Sequence, residues 1–409
     1  MRLAAWVILA ALAAPSAWAA PGTDQEPGQV FHLTADRLPA PHATDSVANG
    51  PDRIERPEGA APIVPAGFTA ELFAEGLRHA RWMVVAANGD VILAQPKAGE
   101  LTLLRDEDGD GRADLAATFL AGLTAAHGLA IRGDALYIGD LEGVWRVPYA
   151  PGDVEARADP VRITADGAFG SEGGHWTRNI AFSADGSLLY AAIGSRGNTA
   201  EEAEPRATVQ VFDARGGEGR TFAAGLRNPV GIAIHPGTGE LYVTVNERDG
   251  LGDGLVPDYF TRIREGEFYG WPYAYIGQHP DPDYGERRPD LVAATKVPDV
   301  LFESHSAPLG LAFYAGDQFP PEYRDGAFVA LHGSWNRAAP TGYKVVYVPF
   351  RDGRPTGAYR NFATGFWIAG EDTAGVWGRP CGLAVMPDGS LLVSDDAGGT
   401  IWRIRYTGP

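Results

Sequence analysis

The side chains of this sequence that could do chemistry stand where apolar runs begin or end. His175 lies in GSEGGHWTRNIAF (170–182), after two glycines and before an apolar run. A neutral imidazole beside a substrate hydroxyl is a suitable general base; a structural loop histidine is the competing reading. Arg227 and Asn228 open LRNPVGIAI. A guanidinium is a rigid two-pronged partner for carboxylates and quinone-type oxygens, or else for a carboxylate on a neighbouring unit. NERDGLGDG (246–254) offers oxygens on Asn246, Glu247, Asp249 and Asp253, a set of the kind that holds calcium, against the alternative of a solvated acidic turn. ALHGSWNRAAPTGYK (330–344) carries His332, Trp335, Asn336, Arg337 and Lys344. Trp335 could stack on a planar ligand while Arg337 and Lys344 hold its charge, or the stretch is a rim of core aromatic and surface arginine.

Arg379 in WGRPCGLAV takes the place of Arg227 in LRNPVGIAI, and Arg81 in HARWMVVA and His127 in AAHGLAI take it again, with His175 close by. That recurrence predicts one central site, rich in His and Arg, at one end of a repeating scaffold. A separate acidic stretch, DEDGDGRAD (106–114), sets Asp106, Asp108, Asp110 and Asp114 at calcium-loop positions. Ala117 stands where the closing bidentate Glu would be, so a complete EF-hand is excluded. A structural calcium or an empty acidic turn remain for it.

The elements that must position these groups are short strands. A unit recurs with an apolar strand, a turn glycine, a second apolar strand and a further strand ending in aromatic and charged residues. Its turn glycines are Gly89, Gly133, Gly186, Gly239, Gly326 and Gly389. A unit of roughly 40–50 residues fits a propeller blade, so the expected fold is all-β, a six-bladed β-propeller over 67–409. Residues 20–66, rich in Pro, Ala, Asp and Glu, read as an extended N-terminal arm running over the surface. The apolar strand at 68–77 is expected to join the last blade and close the ring. Residues 247–306 read as a long loop on the active-site face.

Residues 1–19 have a positive Arg2, an apolar core and an Ala17-Trp18-Ala19 cleavage site, the pattern of a signal peptide. The apolar run is too short to span a bilayer, and the chain is expected in the periplasm or secreted. Arg2 is the one charged residue of that segment, so its loss takes the net charge from −18 to −19. Nucleic acid and anionic membrane are poor partners for such a field. With Cys381 as the single cysteine, the chain has neither an internal disulfide nor a haem-attachment motif.

Together, GGHWTRNIAFSADGSLLYAAIGSRGN, GLRNPVGIAIHPGTGELYVTVNERD, FYGWPY, HGSWNR and GRPCGLAVMPDGSLLVSDDAGGTIWRI resemble the soluble, pyrroloquinoline-quinone (PQQ)-dependent glucose/sorbosone dehydrogenases, closer to their sorbosone/pyranose branch. The resemblance runs from about Leu38 to Tyr406. It implies a quinone lying over the propeller axis and His175 as the base for the sugar C1 hydroxyl. It implies Arg227 and Asn228 beside the quinone oxygens, Arg227 sharing in catalysis. A Ca²⁺ would be held jointly by the cofactor and the segment Asn246, Glu247, Arg248 and Asp249. Arg81, His332, Arg337, Lys344 and Arg379 are the candidates for the cofactor's carboxylates, with Trp335 beside them. Glu247 and Arg248 stand where the glucose enzymes have a Gly-Pro pair. The implied activity is oxidation of an aldose or related sugar aldehyde, with electrons passing to an external acceptor such as a periplasmic cytochrome c or a quinone. A calcium-dependent sugar lactonase and a non-catalytic binding propeller are the alternatives.

Overall fold

The computed structural model describes residues 24–170 and 173–408. The signal-peptide reading therefore lies outside the described residues. No helix among the described residues is long and apolar enough to cross a membrane.

Strands dominate, as the turn spacing predicts. Six sheets of four or five strands follow one another along the chain. Within each, the first strand pairs with the second and the second with the third; the first two are joined by a short turn except for Pro308–Phe313 and Ala327–Leu331, which residues 314–326 connect. The first strands, Met83–Val85, Gly128–Arg132, Arg178–Phe182, Asn228–Ile234, Pro308–Phe313 and Pro380–Val385, contact one another in succession. The last also contacts the first, so the six sheets, numbered here as blades 1 to 6, close into a ring. Second strands such as Val91–Gln95 and Leu391–Asp395 are buried throughout. Neighbouring blades cover both their faces, which is why they read as short continuous apolar runs.

Glycine sets the tightness of the ring. A Cβ on Gly231, Gly310 or Gly382 would come closer than 3.0 Å to backbone of the next blade. The recurring Gly-Leu/Ile-Ala pattern thus marks the point where adjacent first strands nearly touch.

Phe68–Ala74 pairs antiparallel with Thr400–Tyr406, so the N-terminal strand completes blade 6 as expected. The outer edges differ from the sequence reading. Strands such as Tyr259–Ile263 and Lys344–Val348 are third, and a fourth lies outside each. In blades 2 and 3 the fourth strands are Val161–Arg162 and Gly216–Ala224, largely exposed and without apolar alternation. The long segment 247–306 is not one loop. It holds Tyr259–Ile263, a small hairpin (Ala274–Tyr275 with His279–Pro280), the helix Pro289–Ala294 and the edge strand Val300–Leu301.

The arm is extended, and bonds distant in sequence hold it. Val30–Phe31 adds a fifth strand to blade 5 by pairing with Tyr359–Ala363. Asp52–Arg53 pairs in parallel with Gly375–Val376, and Ile54 packs into the largest hydrophobic cluster.

Candidate active site

Each first strand enters the ring at the end where the second strand leaves it. That end gathers the residues before the first strands and after the second strands. Two adjoining cavities open there, of about 500 and 340 Å³, sharing Arg81, His332 and Arg379.

His175 lines the smaller cavity just ahead of blade 3's first strand. Its Nδ1 lies 2.9 Å from the Ser195 carbonyl oxygen and 3.1 Å from Ser195 Oγ. A carbonyl can only accept, so Nδ1 carries the proton and Nε2 keeps a free lone pair. Burial, then the nearby Arg227 guanidinium, push the imidazole pKa down to about 3. Arg178, fully buried below, donates to the carbonyls of His175 and Thr177. Gly194 makes room above: a Cβ there would sit 2.7 Å from His175 Cβ and closer still to Asn228 Oδ1. Asn228 is buried beside this point, and its Oδ1 has no partner.

Arg227 is occupied by protein. Its Nε and Nη2 donate to the backbone and side-chain oxygens of Asn198, at 3.1 and 3.0 Å. Nη1 donates to the carbonyls of Asn246 and Glu247, and Nη2 reaches Asp249 at 3.3 Å. The guanidinium thus ties down the 246–249 segment.

Within that segment the Glu247 side chain is buried, and burial pushes its pKa up to about 8. Asp258 is buried beside it, raised to about 6 for the same reason, and accepts the backbone N–H groups of Glu247 and Ala307. Asn246 spends its amide on Pro308 O at 2.7 Å. Arg248 turns outward to Asp281 and Asp283, so its side chain is a cation in an ion pair and cannot ligate a metal.

The larger cavity is organised by Asp396. Its carboxylate receives His332 Nε2 and Arg81 Nη1, both at 2.8 Å, and His79 Nε2 at 3.2 Å. Burial opposes its ionisation, but His332, His79 and Arg81 hold it well below the usual carboxylate range. Arg81 lies over the Trp176 ring, 5.0 Å from its centroid. Arg379 donates to the carbonyls of His332 and Gly333. Burial, then Arg379, lower the His332 pKa to about 4. Trp335 stands half out of the smaller cavity with 52% of its surface exposed.

Other sequence candidates lie elsewhere. Lys344 begins a third strand, one layer further from the axis than the second. It is fully buried, pairs with Asp24 at 2.9 Å and lies over the Phe31 ring, so it anchors the arm and does not face either cavity. Arg337 faces Ser304 O and Glu303 and lines neither cavity. His127 is sealed below the floor against Asn179. The shared offset is also corrected. Pro229 pairs with Val245 and Pro380 with Asp395, which sets Arg379 level with Asn228, one residue past Arg227. The side chains share an end of the ring without sharing a register.

Asp106, Asp108 and Asp114 converge, with one oxygen of each within 4.8 Å of the others, while Asp110 turns to the Arg112 N–H. This loop joins the third and fourth strands of blade 1, at the opposite end from the cavities.

Several site residues escaped the sequence reading: His79, Trp176, Asp258, His305 and Asp396. His305 bridges Asp249 and the Gly252 carbonyl. Asp396 opens the turn after blade 6's second strand, where Pro96 stands in blade 1. That turn position was the available signal.

The TrAA12-like family model matches residues 62–256 and 288–407. The glucose/sorbosone dehydrogenase model matches residues 208–334. The pyrroloquinoline quinone-dependent pyranose dehydrogenase of Coprinopsis cinerea is 29% identical over 65% of this chain, and the chain spans 44% of that relative's length. The holo PQQ domain of a Coprinopsis cinerea pyranose dehydrogenase superposes with a TM-score of 0.73 at 23% identity, covering 88% of this chain and 100% of that one. The calcium structure of a Trichoderma reesei carbohydrate-active enzyme of family AA12 gives 0.71 at 22%, covering 85% and 97%. These two likenesses establish the propeller fold. The resemblance read from the motifs holds through both family models, and the chain belongs to the TrAA12-like family.

Proposed function

We propose that this chain is an exported PQQ- and Ca²⁺-dependent sugar dehydrogenase that oxidises an aldose at C1 and passes the electrons to an external acceptor. The observation that carries the reading is His175, a half-buried neutral imidazole with Nδ1 fixed on a carbonyl and Nε2 free, beside a cation-rich cavity. The relatives named for PQQ and pyranose support it.

The residues fit the cofactor's chemistry. A flat tricarboxylate needs cations and donors, and Arg81 Nε is a buried donor without a partner; the quinone's own N–H needs an acceptor, and Asn228 Oδ1 is a buried acceptor without one. Arg81 and Arg379 would hold its carboxylates, His332 and Asn228 would border it, and Asn246, Glu247 and Asp249, whose side chains line the smaller cavity with oxygen donors, would hold the Ca²⁺. When bound, PQQ supplies an electrophilic quinone that accepts hydride from the sugar C1 carbon. His175 takes the C1 hydroxyl proton at Nε2, while the Ser195 carbonyl keeps the ring in the required tautomer. Arg227 acts as the positioning residue of the metal segment. Trp335 shields the substrate from water at the rim.

The test is to titrate the protein with PQQ and Ca²⁺ by calorimetry, then assay aldoses with an artificial dye acceptor. PQQ binding with aldose-dependent dye reduction is expected. His175→Ala should bind PQQ and lose about 10²–10⁴-fold in turnover. Absence of both binding and dye reduction would overturn the proposal, and lactone hydrolysis with Ca²⁺ alone would move the chain to the hydrolases.

A further inference from the structure

Residues 42–54 form a strap along one side of the cavity mouth. The His42 N–H donates to Leu251 O at 2.8 Å, and the Asp253 N–H donates to Thr44 Oγ1 at 2.8 Å, both in blade 4's loop. The Asn49 N–H donates to the carbonyl of Trp335, the cavity-rim tryptophan, at 2.7 Å. Asp52–Arg53 then pairs with Gly375–Val376 ahead of blade 6. At the end of this run Arg53 borders the larger cavity, and its guanidinium donates to Ala397 O. The family match begins at residue 62, so the strap is outside the matched residues.

The charge of the cavity makes Arg53 informative. Four permanent cations line it, Arg53, Arg81, Lys97 and Arg379, against one carboxylate, Asp396. Arg81 is paired with Asp396. Neither Arg53 nor Lys97 has a carboxylate partner among the described residues. Arg53 and Lys97 are exposed, so solvent screens their repulsion, but the cavity still gathers an excess of three positive charges in a chain whose overall charge is −18. A planar ligand with three carboxylates balances this excess.

We infer that the N-terminal strap is part of the ligand site and that Arg53 binds a carboxylate of a planar aromatic tricarboxylate. The reading of PQQ as cofactor names that ligand; the charge balance alone defines its class.

The experiment uses two probes, PQQ and benzene-1,3,5-tricarboxylate, titrated by calorimetry into wild type, Arg53→Gln, Arg53→Lys and Arg56→Gln. Arg56 lies two residues beyond the strap and pairs with Glu75 away from the cavity, so its variant removes equal charge elsewhere. Arg53→Gln should weaken both ligands about tenfold, Arg53→Lys by less, and Arg56→Gln not at all. Either ligand should slow proteolysis within 42–54 in wild type and fail to do so in Arg53→Gln. Wild-type affinity of Arg53→Gln for both ligands would overturn the assignment. If wild type takes the tricarboxylate and not PQQ, the proposed cofactor falls and the strap assignment stands; if it takes neither, both fall.

Discussion

Gly194→Ala puts the proposed base to a sharp test without touching its chemistry. Gly194 follows blade 3's second strand, and its backbone is not in the left-handed region, so alanine brings no backbone strain. The added methyl would lie 2.7 Å from His175 Cβ and closer to Asn228 Oδ1, where ordinary contacts begin at 3.4 Å. Relief requires shifts approaching 1 Å in one or both side chains, and misplacement of about 1 Å can cost about 10²-fold in rate. Overpacking of this kind also costs about 1–3 kcal/mol of stability. Gly219→Ala is the matched control. Its methyl would lie 2.7 Å from Phe212 Cζ on the outer edge of the same blade, away from either cavity. Steady-state dye reduction with saturating PQQ separates kcat from KM, and thermal melts report stability. Both variants should melt lower, and only Gly194→Ala should lose kcat by about 10²-fold. Wild-type kcat in Gly194→Ala, with the methyl seen in place, would refute the requirement that the His175 and Asn228 side chains be fixed where they stand.

Lys344→Met should destabilise the protein by about 3 kcal/mol in denaturant unfolding, because it strands Asp24 beside a buried site, while PQQ affinity stays unchanged. In the pH dependence of kcat/KM, no limb from His175 protonation should appear near 6.5, because the folded pKa is about 3. For stability the sign follows: between pH 6.5 and 3 the unfolded chain binds a proton at this site and the folded chain does not. Stability therefore falls on acidification through that window, and His175→Gln should flatten the fall in urea titrations at several pH values. Chelating Ca²⁺ should abolish dye reduction, whereas Asp108→Asn in the 106–114 loop should leave kcat unchanged, since that loop lies at the opposite end of the ring.

The hairpins were readable because two signals coincide in each, an apolar run and a glycine turn, as at Gly239 and Gly389. The fourth strands were not. Val161–Arg162 and Gly216–Ala224 meet solvent along much of their length, so no apolar alternation is imposed on them. His175, Arg81 and Arg379 could be placed at one end of the ring because each precedes a first strand. Lys344 was a candidate for the cofactor's carboxylates by residue type alone; strand order within a blade sets distance from the axis, and a third strand points its lysine into the layer beneath the arm. Asp396 and His79 define a charge network between the first and last blades that no local pattern encodes. The arm's contacts join residues some three hundred positions apart, such as Asn49 with Asp372, and composition alone gave it no address.

The pairing of Phe68–Ala74 with Thr400–Tyr406 has a consequence for biosynthesis. The strand that closes the ring is made near the start of translation, and its partner near the end. Until the last blade is complete, Arg81 waits for Asp396 and the strap waits for Gly375–Val376. Such long-range closure is slow and leaves earlier blades with uncovered edges. Assembly of the cavity is thus an all-or-none event at the end of folding, and ligand binding reports a finished ring.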